Sequence, residues 1–137
     1  MKLINKQRLG DCVRYFFEGE VVCSIYLNGT KIWYLHDKRH REDGPAVEYS
    51  TGDKIWYLNG KPHREDGPAI EWADGSRQWY LNGQRHREDG PAIEYANGSK
   101  HWFINDKRHR EDGPAIELAD GHKEWYINGK YQDETDK

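Results

Sequence analysis

The stretch WYLNGKPHREDGPAIE, residues 56–71, recurs with small changes along most of the chain. A tryptophan returns every 23 residues, at Trp33, Trp56, Trp79, Trp102 and Trp125. The string HREDGPA occurs four times, starting at residues 40, 63, 86 and 109. A period of roughly 20–50 residues is typical of an array in which each unit completes its core only against its neighbours. We therefore interpret the 137-residue chain as one elongated repeat array.

The composition limits the partners and the compartment. Charged residues form 33% of the chain but leave a net charge of only −3, which argues against a phosphate-binding surface, so we expect no nucleic-acid partner. No apolar run is long enough for a membrane span, and residues 1–10 lack the apolar core of a secretory signal. Cys12 and Cys23 lie outside the recurrent units and are expected to be free thiols. These features predict a cytoplasmic protein without a membrane partner.

Each repeat contains two β-prone runs and two turn signals. In one copy the runs are residues 91–95 and 100–104, and an Asn-Gly pair lies between them. Asn-Gly between alternating runs is a strong hairpin signal, because both turn residues accept positive φ. HREDGP contains a glycine that can take an unusual φ and a proline without a donor, which predicts an irregular link. The predicted fold is all-β: an elongated, single-layer, twisted antiparallel sheet of tandem 23-residue β-hairpins.

The pattern divides the chain into three segments. Residues 1–23 are predicted to form an N-terminal cap hairpin, with strands at 13–17 and 21–25 around a turn at 18–20. Residues 24–130 form the array, in which a degenerate first unit precedes four HREDGPA units. Residues 131–137 are polar and are predicted to be a disordered tail.

Strand alternation assigns side chains to two faces. It places Trp56 and Leu58 on a core face, together with Ile70 and Trp72 of the neighbouring strand. The opposite face would then carry the tyrosines that follow each tryptophan and the glutamates of each first strand. We expect this face to contact water, because the residue before each tryptophan is polar or charged in three of the five units. These residues are Ile32, Ile55, Gln78, His101 and Glu124.

The unit of Trp-Tyr, Asn-Gly-Lys, a following His and a second Asn-Gly or Asp-Gly resembles the MORN repeat over residues 24–130, most closely its Trp-Tyr-x-Asn-Gly-Lys variant. Units with HREDGPA are similar to those of bacteriophage and large DNA virus proteins. The variant repeat is shared with bacterial proteins described as antitoxins or immunity proteins. The resemblance implies a phage or bacterial setting and an inhibitory role. This chain differs from the typical unit in having Arg-Glu-Asp inserted before the glycine.

The four His-Arg-Glu-Asp clusters suggest metal or acid–base chemistry at first sight. Units of two strands lie roughly 10 Å apart at about 4.8 Å per strand, whereas Zn–N bonds are about 2.0–2.1 Å, so histidines of neighbouring units cannot share one ion. Because the same cluster recurs in each HREDGPA unit, we expect it to have a structural role in the array. We therefore predict that the chain is not an enzyme and that it has neither a metal site nor a cofactor. In this interpretation the aspartates hold the turns through backbone N–H groups, and arginines pair with glutamates.

Positions at which the repeats differ, together with the tyrosine row, form the candidate surface for a protein partner. The site residues are Tyr34, Tyr57, Tyr80, Phe103, Tyr126, Ile55, Gln78 and His101, and the variable positions also include Asp53, Ser76, Ser99 and His122. Aromatic residues anchor many interfaces. The leading hypothesis is an inhibitor that occludes a host defence enzyme or a toxin.

Three alternatives stay open at this stage. The first is a sponge for an anionic signal nucleotide, held by His63, Arg64, His86, Arg87, His109 and Arg110. The second is a structural or oligomerising array, and the oligomeric state is left open. The third is that the ring-rich face is merely solvated, since singly exposed apolar residues need no explanation.

Overall fold

A computed structural model describes residues 5–133, and this part of the chain is built from strands and turns without a helix. The strands are β1 Asn5–Leu9, β2 Cys12–Phe17, β3 Glu20–Tyr26, β4 Lys31–Leu35, β5 Lys38–Arg39, β6 Val47–Glu48, β7 Lys54–Ile55, β8 Tyr57–Leu58, β9 Lys61–Pro62, β10 Ile70–Glu71, β11 Arg77–Gln78, β12 Tyr80–Leu81, β13 Gln84–Arg85, β14 Ile93–Glu94, β15 Lys100–His101, β16 Phe103–Ile104, β17 Lys107–Arg108, β18 Ile116–Glu117, β19 Lys123–Ile127 and β20 Lys130–Gln132. The prediction of an all-β fold is confirmed.

Fourteen of these strands form one antiparallel sheet. Its order is β1-β2-β3-β4-β6-β7-β10-β11-β14-β15-β18-β19-β20, and β5 pairs with β4. The remaining strands form three two-stranded ribbons, β8-β9, β12-β13 and β16-β17. The strands of the sheet lie in chain order. Short turns join pairs such as β6 and β7, whereas residues 56–69, which contain the ribbon β8-β9, join β7 to β10. The predicted elongated single layer of successive hairpins is confirmed.

Each central repeat contains two hairpins, one more than the sequence predicts. β10 and β11 form the first, within the main sheet. The ladder is interrupted at Trp79, after which β12 and β13 form the second hairpin around Asn82 and Gly83. These two residues have φ of 50° and 81°, the positive values that a two-residue hairpin turn of this type requires. The HREDGP segment that follows is irregular, as predicted.

The core is a row of aliphatic side chains that crosses the sheet on one face. The buried cluster comprises Ile32, Val47, Ile55 and Ile70, and the rings packed against it are Tyr26, Tyr34, Tyr57 and Tyr80. Ile70 lies directly across from Ile55, and cross-strand partners share a face. The face assignment from alternation is therefore wrong, because the first-strand isoleucine packs with the tyrosines and not with Trp56.

The opposite face carries a ladder of alternating charges. Glu71 lies directly between Lys54 and Arg77 of the two adjacent strands. Across the sheet the row comprises Lys31, Glu48, Lys54, Glu71, Arg77, Glu94, Lys100, Glu117 and Lys123. Each opposite-charge pair of this kind contributes about 0.2–1 kcal/mol. The glutamates predicted to accompany the tyrosines thus lie on the other face, where they stabilise the sheet.

The two ends of the array differ from its centre. β2 and β3 pair around Glu18 and Gly19, as predicted, and β1 adds a third strand to this N-terminal hairpin. At the other end Tyr131 and Gln132 belong to β20 and pair with β19. The predicted disordered tail at 131–137 is therefore wrong for these two residues, and its last part, residues 134–137, lies outside the described residues.

Candidate functional site

The arginine of each HREDGPA string is engaged by its own repeat. The guanidinium carbon of Arg64 lies 4.0 Å from the centre of the Trp56 ring. Its Nε donates to Asp66 at 3.0 Å, and its Nη1 donates to the Pro68 carbonyl at 3.0 Å and to Glu71 at 3.3 Å. The stacked and forked contacts recur at Arg41, Arg87 and Arg110. Because carboxylates of the same repeat already bind these arginines, little of their charge is available for a ligand.

Two residues of the loop have roles that the sequence did not predict. Asp66 was expected to hold the turn through backbone N–H groups, but its carboxylate accepts the Arg64 Nε–H instead. The loop glycine was expected to supply an unusual φ, yet Gly67 is not among the residues with positive φ. A Cβ at Gly67 would lie 3.1 Å from the Arg64 guanidinium carbon. A side chain at this position would crowd the guanidinium, so the glycine favours the close approach of the arginine.

The histidine of each string joins one repeat to the next. Nδ1 of His63 accepts the backbone N–H of Asn82 at 2.9 Å. The same bond, at 2.9–3.0 Å, joins His40 to Asn59, His86 to Asn105 and His109 to Asn128. Because Nδ1 accepts, the proton of the neutral ring sits on Nε2, which in His63 lies 3.7 Å from Glu65. These imidazoles are inter-repeat joints.

A second joint lies at the opposite end of the strands. Oγ of Ser76 accepts the Ala96 N–H at 2.9 Å, and Oδ1 of Asp53 accepts the Ala73 N–H at 2.6 Å. The same bond recurs at Thr30 and Ser99. Counting Ser76 and Ser99 among positions free for recognition is wrong, because both are buried. The position varies among Thr, Asp and Ser because each supplies an oxygen acceptor.

Adjacent HREDGPA loops enclose shallow grooves. One groove of about 730 Å³ has Trp56 and Leu58 at its floor and loop residues 41–45 and 63–66 as walls. Similar grooves of about 690 and 830 Å³ follow in the next two repeats. The loop glutamates and aspartates are 83–88% exposed, whereas the arginines beside them are already paired.

This arrangement fits an anionic nucleotide poorly. The alternative ligand residues, His63, Arg64, His86, Arg87, His109 and Arg110, do lie in adjacent loops, as that hypothesis requires. Their Nδ1 atoms and guanidinium groups are engaged within the array, however, and the exposed groups around them are carboxylates. Like charges would repel a phosphate ligand at this surface.

The described residues contain no group of three His, Cys, Asp or Glu side chains that could hold a metal ion. Cys12 is buried and Cys23 half-buried, and both are free thiols. Burial raises the pKa of the Cys23 thiol, which lowers its thiolate fraction and hence its reactivity. The arrangement offers neither cysteine as an activated nucleophile.

All eight predicted partner-binding residues share one face, which we call the ring face. Its inner row is Tyr34, Tyr57, Tyr80, Phe103 and Tyr126, its central row includes Ile32, Ile55, Gln78, His101 and Glu124, and its outer row is Tyr49, Trp72, Tyr95 and Leu118. His101 connects the three rows, because the centre of its ring lies 5.5 Å from that of Tyr95 and 6.5 Å from that of Phe103. The opposite face, with the tryptophans that follow the central row, their stacked arginines and the charge ladder, is the Trp–Arg face.

Two of the predicted contact residues are covered by their neighbours. Phe103 is 3% exposed, and the Arg85 guanidinium lies over its ring at 4.1 Å. Ile55 is 7% exposed within the core cluster. Both residues support the ring face without presenting a contact surface. The remaining predicted residues, Tyr34, Tyr57, Tyr80, Tyr126, Gln78 and His101, are half-buried.

The outer row is the part of the ring face that the sequence analysis missed. Tyr49, Trp72, Tyr95 and Leu118 are 37–42% exposed. Trp72 was assigned to the core with Ile70, with which it does share a face, but Ile70 is 9% exposed whereas Trp72 is 37% exposed. A signal was present in the sequence, because this position is large and apolar in each HREDGPA repeat and is followed at once by a turn.

The charges of the ring face lie at its borders. Arg108 lies between Phe103 and Tyr126, at 5.8 and 5.5 Å from their ring centres. Arg85 donates to Asp106 at 2.6 Å, and this bond holds the pKa of Asp106 below its usual range. Burial raises the pKa of Tyr80 and lowers that of His101. The central row from Ile32 to His101 is therefore neutral near pH 7, and the charged residue at its end is Glu124, whose pKa is held below its usual range by hydrogen bonds from His122 and Tyr126.

No protein-family model and no curated protein matches this chain. Along residues 5–133 there is no helix with the length and apolar character needed to cross a membrane. Function is therefore inferred from the geometry above.

Proposed function

We propose that this chain is a non-enzymatic binding protein that engages another protein through its ring face. The observation that carries the proposal is the contrast between the two faces. The arginines and histidines of the HREDGPA loops are engaged within the array, whereas the outer-row rings are 37–42% exposed. No described element lies across them, since strands contact mainly their neighbours in the sheet or ribbon. Exposed aromatic residues in a continuous row are typical of interface anchors.

The dimensions of the ring face are adequate for a specific interface. Each repeat adds two strands to the sheet, or about 9.6 Å at about 4.8 Å per strand, so five repeats extend roughly 45–50 Å. A standard interface buries about 800 Å² on each partner. The backbone of each outer-row residue is fixed by a hydrogen bond to the turn that follows it, as from the Trp72 N–H to the Ser76 carbonyl at 2.9 Å. This bond limits the backbone freedom that the row loses on binding, which favours affinity.

The more specific form of the proposal is an inhibitor of phage or bacterial origin, either an anti-defence protein or an antitoxin. Its first support is the resemblance of residues 24–130 to MORN-variant repeats. Its second is the exposed carboxylates of the HREDGPA loops, which disfavour the alternative of an anionic ligand. The mechanism is steric occlusion: the ring face covers a functional surface of the partner. This mechanism requires no reacting group from the chain.

Photo-crosslinking from the two faces tests the proposal. A benzoylphenylalanine at position 72 should give a discrete adduct with one protein of the host lysate, and unlabelled protein should compete it away. The matched control carries the same group in place of Lys100, which is exposed on the Trp–Arg face. Adducts of the same protein from both positions, or none from position 72, would contradict a ring-face interface.

The captured protein then provides the functional test. Its activity, measured with purified components, should be inhibited by the wild-type chain and by a Lys100→Thr variant. Inhibition should be lost in the triple variant Tyr49→Thr, Trp72→Thr and Tyr95→Thr, with circular dichroism to verify its fold. Undiminished inhibition by the folded triple variant would refute occlusion by this face.

A further inference from the structure

A row of lysines borders the grooves of the Trp–Arg face on the side of the tight turns. Lys61 of β9 lies directly across from Leu58 of β8, and cross-strand partners share a face. Because Leu58 forms part of a groove floor, the Lys61 side chain lies on the same side of the sheet as that groove. The lysine row comprises the residues at this register: Lys38, Lys61, Lys107 and Lys130, with Gln84 in the remaining repeat.

The lysines of this row are exposed, and within residues 5–133 they form no ion pair with a carboxylate. The next repeat orders their stems. A Cβ at Gly60 would lie 3.6–3.7 Å from the Cβ, Cγ and Cδ atoms of Lys38, and Gly83 has the same relationship to Lys61. Because each stem already rests on the neighbouring turn, less side-chain freedom is lost when its ammonium group is paired.

A row of glutamates stands beside the lysines, on the HREDGPA loops. Glu65 is 85% exposed, and its carboxylate lies 3.7 Å from Nε2 of His63, which is longer than a hydrogen bond. The neighbouring Asp66 is different, because Arg64 already binds it at 3.0 Å. The glutamate row comprises the four residues at this position, which are 83–85% exposed: Glu42, Glu65, Glu88 and Glu111.

The two rows run side by side along the array and differ in height. Lys61 and Glu65 are four residues apart, which is at most about 13 Å at about 3.3 Å per residue. Each row repeats after two strands, or about 9.6 Å at about 4.8 Å per strand. The glutamates belong to loops that form the groove walls, whereas Lys61 lies across from Leu58 in a groove floor. A raised acidic row therefore runs parallel to a lower basic row.

A second copy of this chain is the occupant that fits both rows at once. In a two-fold interface the same patch of both copies meets, so that residue i contacts residue j and j contacts i. A two-fold axis parallel to the array and between the rows places the lysines of each copy opposite the glutamates of the other, and raised loops over the lower row. Equal periods keep all repeats in register. A two-fold axis across the array would instead oppose like charges.

We propose that two copies of the chain associate through their Trp–Arg faces, side by side and in the same direction, with Lys61 of each copy paired with Glu65 of the other. The same pairing joins Lys38 to Glu42 and Lys107 to Glu111. The ring face of each copy stays open in this dimer. The inference therefore goes beyond the proposed function and does not depend on it.

The size of the strip makes this a weak dimer. A strip of roughly 45 Å by 13 Å covers about 600 Å² of each copy, which is at the low end for a specific interface. Each exposed ion pair contributes little alone, but the two-fold axis duplicates each of the three pairs. We expect a Kd on the order of 10 μM at low salt. Because exposed charges carry the pairing, added salt should dissociate the dimer.

Charge reversal in one repeat tests the pairing on the full chain. Sedimentation equilibrium at low salt should show a dimer for the wild type. Lys61→Glu and Glu65→Lys should each raise the dimer Kd about tenfold, because symmetry turns two attractive pairs into repulsive ones. The chain that carries both substitutions should dimerise like the wild type. Both residues are exposed, and circular dichroism verifies that the variants fold.

Mixtures of single variants test the position of the two-fold axis. Fluorescently labelled Lys61→Glu chain should form a heterodimer of wild-type affinity with Glu65→Lys chain, since both contacts of that repeat again join opposite charges. The matched control is Glu111→Lys, which changes the net charge equally but lies two repeats away. It should not restore the affinity of the Lys61→Glu chain, because the repulsive pair at Glu65 remains.

Three results would overturn the proposal. The first is a wild-type chain that stays monomeric at low salt and millimolar concentration. The second is a dimer whose Kd does not respond to Lys61→Glu and Glu65→Lys, because its interface would lie elsewhere. The third is equal rescue by Glu65→Lys and Glu111→Lys, which would indicate attraction between net charges alone. None of these results bears on ring-face cross-linking, so the proposed function stands or falls separately.

Discussion

Nδ1 of His63 accepts the backbone N–H of Asn82, nineteen residues further along the chain, at 2.9 Å. Asn82 has a φ of 50° and opens the tight turn of the following repeat. The histidine of one repeat therefore fixes the turn of the next, and the relationship occurs four times. The loops whose composition most resembles a catalytic cluster are the joints of the array.

Replacing this joint should lower stability. His63→Ala removes the acceptor of the Asn82 N–H and leaves a gap where a mostly buried ring packed, so the free energy of unfolding should fall by about 1–2 kcal/mol. The control is His122→Ala, whose side chain is 54% exposed and whose loss should change stability by less than about 0.5 kcal/mol. Urea unfolding measures both. Equal effects of the two substitutions would contradict the role of His63.

The loop arginine should not tolerate replacement by lysine. Arg64→Lys loses the fork onto Asp66 and Pro68 and the stacking on Trp56, so the free energy of unfolding should fall by about 1–3 kcal/mol. Arg77→Lys is the matched control, because Arg77 is 54% exposed and contacts Glu94 at 3.3 Å. The control should cost less than about 0.5 kcal/mol. A similar loss of unfolding free energy in both variants would show that the stacking and the forked hydrogen bonds of Arg64 do not add to stability.

The loop glycine should depend on the arginine beside it. A Cβ at Gly90 would lie 2.9 Å from the Arg87 guanidinium carbon, so Gly90→Ala should destabilise the chain by about 1–3 kcal/mol through overpacking. In an Arg87→Ala background the same substitution should cost much less. A double-mutant cycle measured by urea unfolding gives the coupling energy. Additive effects would mean that the glycine is required for another reason.

The repeat register and the hairpins could be predicted from the sequence because a tight turn depends on two neighbouring residues. Asn82-Gly83 and its copies need positive φ, and few residue pairs supply it. The faces were predicted wrongly because alternation assumes an unbroken strand and because a tryptophan in every unit suggests burial. Trp56 is instead half-buried beneath Arg64, a contact that depends on the path of the intervening loop. Local sequence patterns carry no information about that path.

The candidate site was predicted only in part for a related reason. The inner-row tyrosines and the variable residues before each tryptophan share a face, as alternation within one strand requires. The exposed outer row was missed because Trp72 and Ile70 were judged by their apolar character alone. Whether an apolar face is covered depends on what the rest of the chain places over it, and strand periodicity does not report this.

His101 should make stability depend on pH. Burial, together with the charges of Arg108 and Arg85, lowers the pKa of His101 in the folded chain, whereas in the unfolded chain the pKa is about 6.5. The unfolded state therefore binds the proton first, and stability present above about pH 6.5 is lost as the pH falls towards the folded pKa.

The variant His101→Gln isolates this contribution, because Gln78 occupies the same position in the preceding repeat. Between about pH 7.5 and about pH 5.5, the urea midpoint should fall more in the wild type than in the variant. Parallel pH dependences in the two proteins would show that His101 does not titrate with folding.

The central claim is that the copied loops hold the array together and leave the ring face for recognition. Nitrogen NMR of the four loop imidazoles tests it most directly. His40, His63, His86 and His109 should each show a protonated Nε2 and an unprotonated Nδ1, with hydrogen-bond coupling from Nδ1 to the amide of Asn59, Asn82, Asn105 and Asn128, respectively. Protonated Nδ1 atoms without this coupling would contradict the claim.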